Sequence, residues 1–327
     1  MGIGKSGFFF TFIALLLSSI FMVAYSNMSV EQPVTTLAGD TAKIEVVARF
    51  TENLKTVFLS RALLSSSNKA LETALEEMQA ADSAIDDPEA VLEELVVNGT
   101  MYSIFRANML NNTLKNWSTK ITALADEHFD IVANITFHSV EVYQPSPWHI
   151  TFKAKADIHT NTTHASFEII DEPIVSNLSI EGFNDPLFLL NQSERKIERN
   201  TNAIWNLTHL KTHIRDGTFT HHPNAPSFLM RMQADNSSSP CCGIESVLNA
   251  SITNSDDINY SYVDYLHWNK TWRCDAPAPY YSLFNITGIS DQDEYRYLKL
   301  DLPHLDWYLA GNISYLIASG NITNACS

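Results

Sequence analysis

The sequence predicts an α+β protein with an N-terminal transmembrane helix, a helical membrane-proximal region and an antiparallel β-rich ectodomain. Three observations predict it. Gly7 to Tyr25 contains no charge and no proline. From Asp40 to Phe129 apolar residues recur at steps of three and four, the period of a helix face. From Phe129 onward the period drops to two, that of a half-buried strand. The chain divides accordingly into 1–30, a cytoplasmic tip and membrane anchor; 31–128, an acidic helical region; and 129–327, a β-rich ectodomain with disulfides.

The first element reads GFFFTFIALLLSSIFMVAY. At 1.5 Å per residue it reaches about 28 Å, one hydrocarbon core. Lys5 precedes it, and the next charges, Glu31 and Asp40, are acidic. The positive-inside bias therefore keeps the N-terminus in the cytoplasm and sends the ectodomain outside. A cleaved secretory signal is the competing reading, because Ala24-Tyr25-Ser26 supplies small residues before Asn27. The apolar run is longer than an ordinary signal core, and its basic flank is a single lysine, so a retained signal-anchor is expected.

Gly4-Lys5-Ser6 followed by Gly7-Phe8-Phe9-Phe10-Thr11 resembles the start of archaeal proteins with type IV pilin-like signal segments. The resemblance implies cleavage near the basic residue, on the cytoplasmic side. It also implies a hydrophobic helix retained on the mature protein, as an anchor or as a filament core. No acidic residue stands near the start of this helix, where many bacterial pilins carry a glutamate. An individually anchored protein is therefore expected rather than a filament subunit.

Charge and asparagine usage narrow the function. With 21 Lys and Arg against 37 Asp and Glu, the net charge is −16. That excludes the basic face nucleic acid requires and suits a self-repelling surface layer. The sequon Asn-x-Ser/Thr begins at Asn27, Asn98, Asn111, Asn116, Asn134, Asn161, Asn177, Asn191, Asn206, Asn236, Asn249, Asn259, Asn269, Asn285, Asn312 and Asn321, which is 16 of 26 asparagines. Chance supplies roughly four or five at this Ser and Thr content. The excess predicts N-glycosylation outside a membrane.

The four cysteines are Cys241, Cys242, Cys274 and Cys326. An even count outside the membrane reads as two disulfides. There is no C-x2-C spacing to support a zinc site. Adjacent cysteines bond each other only through a strained ring. Cys241 and Cys242 are therefore each expected to reach Cys274 or Cys326, with the connectivity open.

After a tether to Gly39, one helix is expected from a cap at Asp40 or Thr41, with Ile44, Val47, Leu54, Phe58 and Ala62 on one face. A second is expected over Asn68–Ala84, a break at Asp87-Pro88, a third helix over Glu89–Val97, and more helix over Met101–Phe129. Leu71 to Leu95 carries nine carboxylates and no basic residue, read as a solvated face rather than a cation site. Phe129, Ile131, Ala133, Ile135 and Phe137 then alternate, with a phase slip near Ser139 that predicts a bulge before Val140 and Val142. Trp148 to Ile158 alternates most cleanly. Ala165–Ile169 and Ile174–Ile180 follow, parted by Pro173. Four runs joined by short turns predict an antiparallel meander with its apolar face under the helices. Tyr260–Trp268 and Tyr295–Leu302 are later strand candidates.

Three further words, Gly182-Phe183-Asn184-Asp185-Pro186-Leu187, Ala225-Pro226-Ser227-Phe228-Leu229-Met230-Arg231 and Gly243-Ile244-Glu245-Ser246, are similar to uncharacterised archaeal membrane-anchored surface proteins with a pilin-like start. That resemblance implies location and a β-rich ectodomain, and no activity.

Chemistry is sparse. His209 and His213 stand four apart, with Asp216, His221 and His222 close behind, a set that suits Zn²⁺ in type but lacks HExxH. No G-x-S-x-G, P-loop or G-x-G-x-x-G is present. Ser227 is read as the cap of a helix beginning at Phe228, not a nucleophile, and Glu245 as a helix-start residue. Trp205, Trp268, Trp272, Tyr280 and Tyr281 are read as core or rim rather than as a sugar platform. The expectation is a membrane-anchored, non-enzymatic surface glycoprotein without cofactor. Its expected partners are the lipid bilayer, through its N-terminal helix, and cell-envelope proteins or glycans. The alternative is a membrane-tethered metal-dependent hydrolase using residues 209–222.

Overall fold

The computed structural model describes residues 36–190, 193–202, 207–249, 260–265, 282–286, 297–300, 307–308 and 322–324. The expected anchor at 7–25 lies outside the described residues. Among the described residues, no helix is long and apolar enough to cross a membrane.

Helix α1 (Thr36–Asn53), a π-helical turn (Leu54–Phe58) and α2 (Leu59–Ala81) run end to end. The two helices expected here are thus one, and it starts before the predicted cap at Asp40. No glycine or proline falls between Thr41 and Ala81 to stop it. The π turn absorbs the phase change between the two stretches. Leu59, Leu63, Leu71, Ala74 and Met78 form the buried stripe of α2. Asp82, at φ 50, ends it in the left-handed conformation.

The break at Asp87-Pro88 falls where expected. Asp87 accepts the Ala90 N–H at 3.0 Å, and Pro88 opens α3 (Pro88–Asn98). The helix expected over 101–129 is present over 114–129, and its first part is replaced. Strands β1 (Thr100–Met101) and β2 (Ile104–Phe105) form a tight hairpin, and α4 (Leu114–Phe129) begins only at its Thr113 cap. Tyr102 and Ser103 take positive φ at the hairpin turn, and both their N–H groups donate to Glu94. That carboxylate offsets a turn for which neither residue type is suited.

Strands β3 (Val132–Ser146), β4 (His149–Asn161) and β5 (Ser166–Ser179) pair antiparallel in that order. Trp148, Ile150, Phe152, Ala154, Ala156 and Ile158 are all buried, as their alternation predicts. Helix α2 packs on β5, and α3 and α4 pack on β3, so the helices cover the apolar face. The last two predicted runs are one strand, with Pro173 inside it opposite Lys155. An edge strand tolerates a residue without a donor, because only one side of it is paired.

Beyond β5 the chain forms α5 (Pro186–Leu189), α6 (Leu207–Asp216), β6 (Thr220–His221) and α7 (Phe228–Met232). Strand β7 (Ile244–Glu245) pairs with β6. A second sheet contains β8 (Val247–Asn249), β9 (Tyr260–Val263), β10 (Ser282–Ile286), β11 (Tyr297–Leu300) and β12 (Ile322–Asn324), in the order β12-β10-β11-β9-β8. Strands β9 and β11 match two predicted runs and pair parallel, where an antiparallel sheet was expected.

The central strand should carry much of the stability. Phe152→Ala, at a fully buried position, is expected to cost about 3–5 kcal/mol. Ile170→Ala, on the exposed side of β5, should stay within about 0.5 kcal/mol of the parent. Denaturant unfolding midpoints measure both.

Candidate functional site

The three sequence words that carry the second resemblance meet at one buried side chain. Ser227 caps α7 by accepting the Met230 N–H, as its sequence position predicts, and so sets the start of the turn that carries Arg231. Arg231 is fully buried. Its Nη1 donates to Asp185 at 2.6 Å and to Asp264 at 3.0 Å, and its Nη2 donates to the Ile244 carbonyl. Asp185 also caps α5 through the Leu187 N–H at 2.8 Å. Asp264, just after β9, accepts the Ser246 N–H at 3.1 Å and the Tyr265 N–H at 2.7 Å.

Further polar groups pack around this centre. Arg195 donates to the Gly217 carbonyl and, at 3.1 Å, to Ser246 Oγ, and it stacks on Phe188 and Phe219. A Cβ at Gly217 would fall 1.9 Å from the Arg195 guanidinium, so glycine admits that arginine. Glu245, in β7 and not at a helix start, is fully buried and accepts the Tyr308 hydroxyl at 2.5 Å. Three carboxyls therefore meet two guanidiniums. Burial pushes Asp264 up to about 6 even against Arg231. Burial alone would lower Arg231, but Asp185 and Asp264 hold it above its ordinary value. Burial and then the Glu245 carboxylate raise Tyr308.

The histidine-rich segment borders this network. His213 on α6 is 1 % exposed, with Nδ1 2.8 Å from Thr218 Oγ1 and its ring 5.8 Å from that of Tyr308. Burial lowers its pKa to about 4, so it is neutral. Asp216 pairs with Arg215 at 2.7 Å. His221 Nδ1 lies 2.8 Å from the Gly243 carbonyl, and His222 Nδ1 lies 3.5 Å from Glu245. No three ligand atoms of His209, His213, Asp216, His221 and His222 come within 4.8 Å of one another. The structure places these residues in one region and does not bring them to one point.

Cys241 and Cys242 depart from expectation by bonding each other, with sulfurs 2.07 Å apart. Their Cα atoms are 3.8 Å apart, and the N–H groups of Cys242 and Gly243 both donate to Ser239 O, folding the segment into a tight turn. Residue 243 must be glycine there, because a Cβ would fall 2.2 Å from the Ala225 carbonyl. Cys274 and Cys326 lie outside the described residues.

The outer face of the first sheet holds the other features. Asn134, Asn161 and Asn177 are exposed on its three strands. Asn98 and Asn111 are exposed elsewhere, and Asn116 and Asn236 are half-buried. Where the hydrogen bonds of Asn116 and Asn177 are defined, they use Oδ1, which accepts from Thr113 and Thr151. A glycan would join the nitrogen. The side chains of Asn191, Asn206, Asn249, Asn259, Asn269, Asn285, Asn312 and Asn321 lie outside the described residues, as does Asn27. So do Trp205, Trp268, Trp272, Tyr280 and Tyr281.

On the same sheet His138, Asp157 and Asp171 converge, their ligand atoms all within 4.8 Å of one another. Register jumps from Phe137↔Ala156 to Ser139↔Lys155, so His138 is the extra residue of a bulge where the phase slip was predicted. On the other side of β4, register jumps from Ala156↔Glu172 to Ile158↔Ile169, so Asp157 faces a second bulge. His138 Nε2 lies 2.8 Å from Asp157, and the Asp171 N–H donates to Asp157 at 2.9 Å. That N–H, and then His138, hold Asp157 below the usual carboxylate range. Sequence reasoning did not single out this trio; the phase slip was its one visible trace.

The acidic run 72–94 finds partners from outside itself. Glu72 pairs with Lys69, Glu77 with Arg106, and Glu76 accepts from Asn108. Glu72 and Glu76 also line a cleft of about 380 Å³ with Glu181, Phe183 and Lys196, which holds no histidine, cysteine or serine.

Two outcomes test the buried network. Arg231→Met leaves Asp185 and Asp264 buried without their cation, and is expected to cost about 3–5 kcal/mol in denaturant unfolding. Adding Asp264→Asn to that chain should recover part of the loss. The second outcome concerns pH. His213 binds its proton near 6.5 when unfolded and about 4 when folded, so its contribution is present above pH 6.5 and is lost as pH falls toward 4. Asp264 runs oppositely, its contribution being present below 3.8 and lost as pH rises to about 6. The two mask each other in the parent. The stability gap between parent and His213→Gln should therefore narrow as pH falls from 6.5 toward 4, measured by urea unfolding across that range. No protein-family model, curated protein or solved structure matches the chain.

Proposed function

We propose that this chain is a membrane-anchored extracellular glycoprotein with a structural or adhesive role at the cell envelope. The observation that carries the reading is the placement of the sequons. Seven of their asparagines have described side chains, and none is buried. Three of the seven lie on the wet face of one sheet: Asn134 and Asn177 stand inside strands, where turn preference does not account for an Asn-x-Ser/Thr pattern, and Asn161 ends β4. The net charge of −16 and the apolar stretch 7–25 agree with the same placement. The chain is anchored individually, with its N-terminus inside and its ectodomain outside.

The reading assigns no catalytic residue. The most concentrated chemistry, around Arg231, is enclosed and committed to backbone caps and ion pairs, which suits holding a shape. The hydrolase alternative would need the histidines of 209–222 to face one ion, and Nδ1 of His213, His221 and His222 is directed at three separate partners.

Protein extracted with detergent from native membranes is expected to retain the Gly7–Tyr25 helix. Glycopeptide mass spectrometry should find sugar at Asn134, Asn161 and Asn177. A bare polypeptide mass, or recovery only as a soluble form starting at Asn27, would overturn the proposal.

A further inference from the structure

We infer that His138, Asp157 and Asp171 form a binding site for a divalent first-row transition-metal ion such as Zn²⁺ on the outer face of the first sheet. The site lies away from the histidine segment, was not foreseen from the sequence, and does not depend on the glycoprotein reading.

Its geometry comes from backbone irregularity on both sides of one strand. A regular antiparallel sheet spaces its outward side chains evenly, so three ligands from three strands do not ordinarily meet at a point. Here the bulge at His138 and the bulge at Ile170-Asp171 lie on opposite sides of Asp157. Each brings one additional side chain toward it. Asp171, at φ 54, is turned back far enough for its own N–H to reach Asp157.

The spacing suits an ion. Two donors about 2.1 Å from zinc, at tetrahedral or octahedral angles, lie about 3.0–3.4 Å apart. His138 Nε2 and Asp157 Oδ2 are 2.8 Å apart, so a small opening of that pair admits the metal. Charge favours it as well. Two carboxylates share one imidazole, and among the described residues neither carboxylate has a lysine or arginine partner. One nitrogen and two oxygens select zinc-like ions over Ca²⁺ or Mg²⁺, which prefer oxygen alone. Exposure leaves room for a water or an outside donor in the remaining position.

The test uses the full chain, purified in detergent and stripped with chelator. Zn²⁺ affinity is measured by competition with a chromophoric chelator, and stoichiometry by elemental analysis. The expected result is one Zn²⁺ per chain at micromolar affinity or better, not displaced by a large excess of Ca²⁺. His138→Ala and Asp171→Asn should each weaken binding by more than about 100-fold. Asparagine tolerates the positive φ at 171, and both positions are exposed, so the metal-free unfolding midpoint should move only by the small amount an exposed ion pair contributes. The double variant His209→Ala and His221→Ala should bind as the parent does. Failure of the parent to bind, Ca²⁺ displacing Zn²⁺, unchanged affinity in His138→Ala, or loss of binding in the 209/221 double variant would each overturn the assignment.

Discussion

The arrangement beyond the first sheet depends on the burial of Arg231. A guanidinium out of water is costly by several kcal/mol unless its donors are satisfied by groups fixed in place. Each partner here is fixed by its own backbone. Asp185 is held by capping α5, Asp264 by the N–H groups of Ser246 and Tyr265, and the Ile244 carbonyl by β7. One side chain therefore locks the turn after β5, the short helix α7, strand β7 and the end of β9 into a single relation. A buried ion network of this kind adds little stability over a well-packed apolar replacement. What it adds is registry, because a carboxylate misplaced by one position would leave the cation unpaired.

The same trade recurs around it. The network holds more carboxyls than cations, and burial raises Asp264 to about 6 even beside Arg231. His213 is held neutral by the same burial, against the pull of the Glu245 carboxylate. Gly217 and Gly243 make room at the edges, one for a guanidinium and the other for a carbonyl. The pairing of Cys241 with Cys242 closes the turn that carries Gly243, so an irregular segment is held by local constraints where no long element is available.

The first sheet solves a simpler problem. Its inner face is closed by α2, α3 and α4 and needs only apolar alternation. Among the described residues most side chains of its outer face are exposed or half-buried, and that face accommodates two bulges, a proline, three exposed sequon asparagines and a cluster of ligand-type side chains. Irregularities that a packed face would reject are tolerated where they meet solvent.

Local rules made much of this legible in the sequence. Period-two alternation located β3 and β4, the phase slip located the first bulge, Asp87-Pro88 located the start of α3, and Ser227 announced the cap of α7. Each of these is decided by groups within a few residues. The misreadings arose where distant groups decide. The helix from 36 to 81 is continuous because a π turn reconciles its two faces against the sheet. The helix expected at 101 yields to a hairpin because Glu94, eight residues back, satisfies two backbone donors. Pro173 does not break β5 because the strand lies at an edge, a position that exists only once the sheet is assembled. Nor does the sequence reveal that Asp185, Arg231, Ile244 and Asp264 meet, or that His138, Asp157 and Asp171 converge. Those encounters join residues 13 to 46 positions apart. The sequence by itself determined the periods, caps and sequons, because they are local. Tertiary structure alone decided which polar side chains share one environment, because burial and proximity are properties of the packed chain.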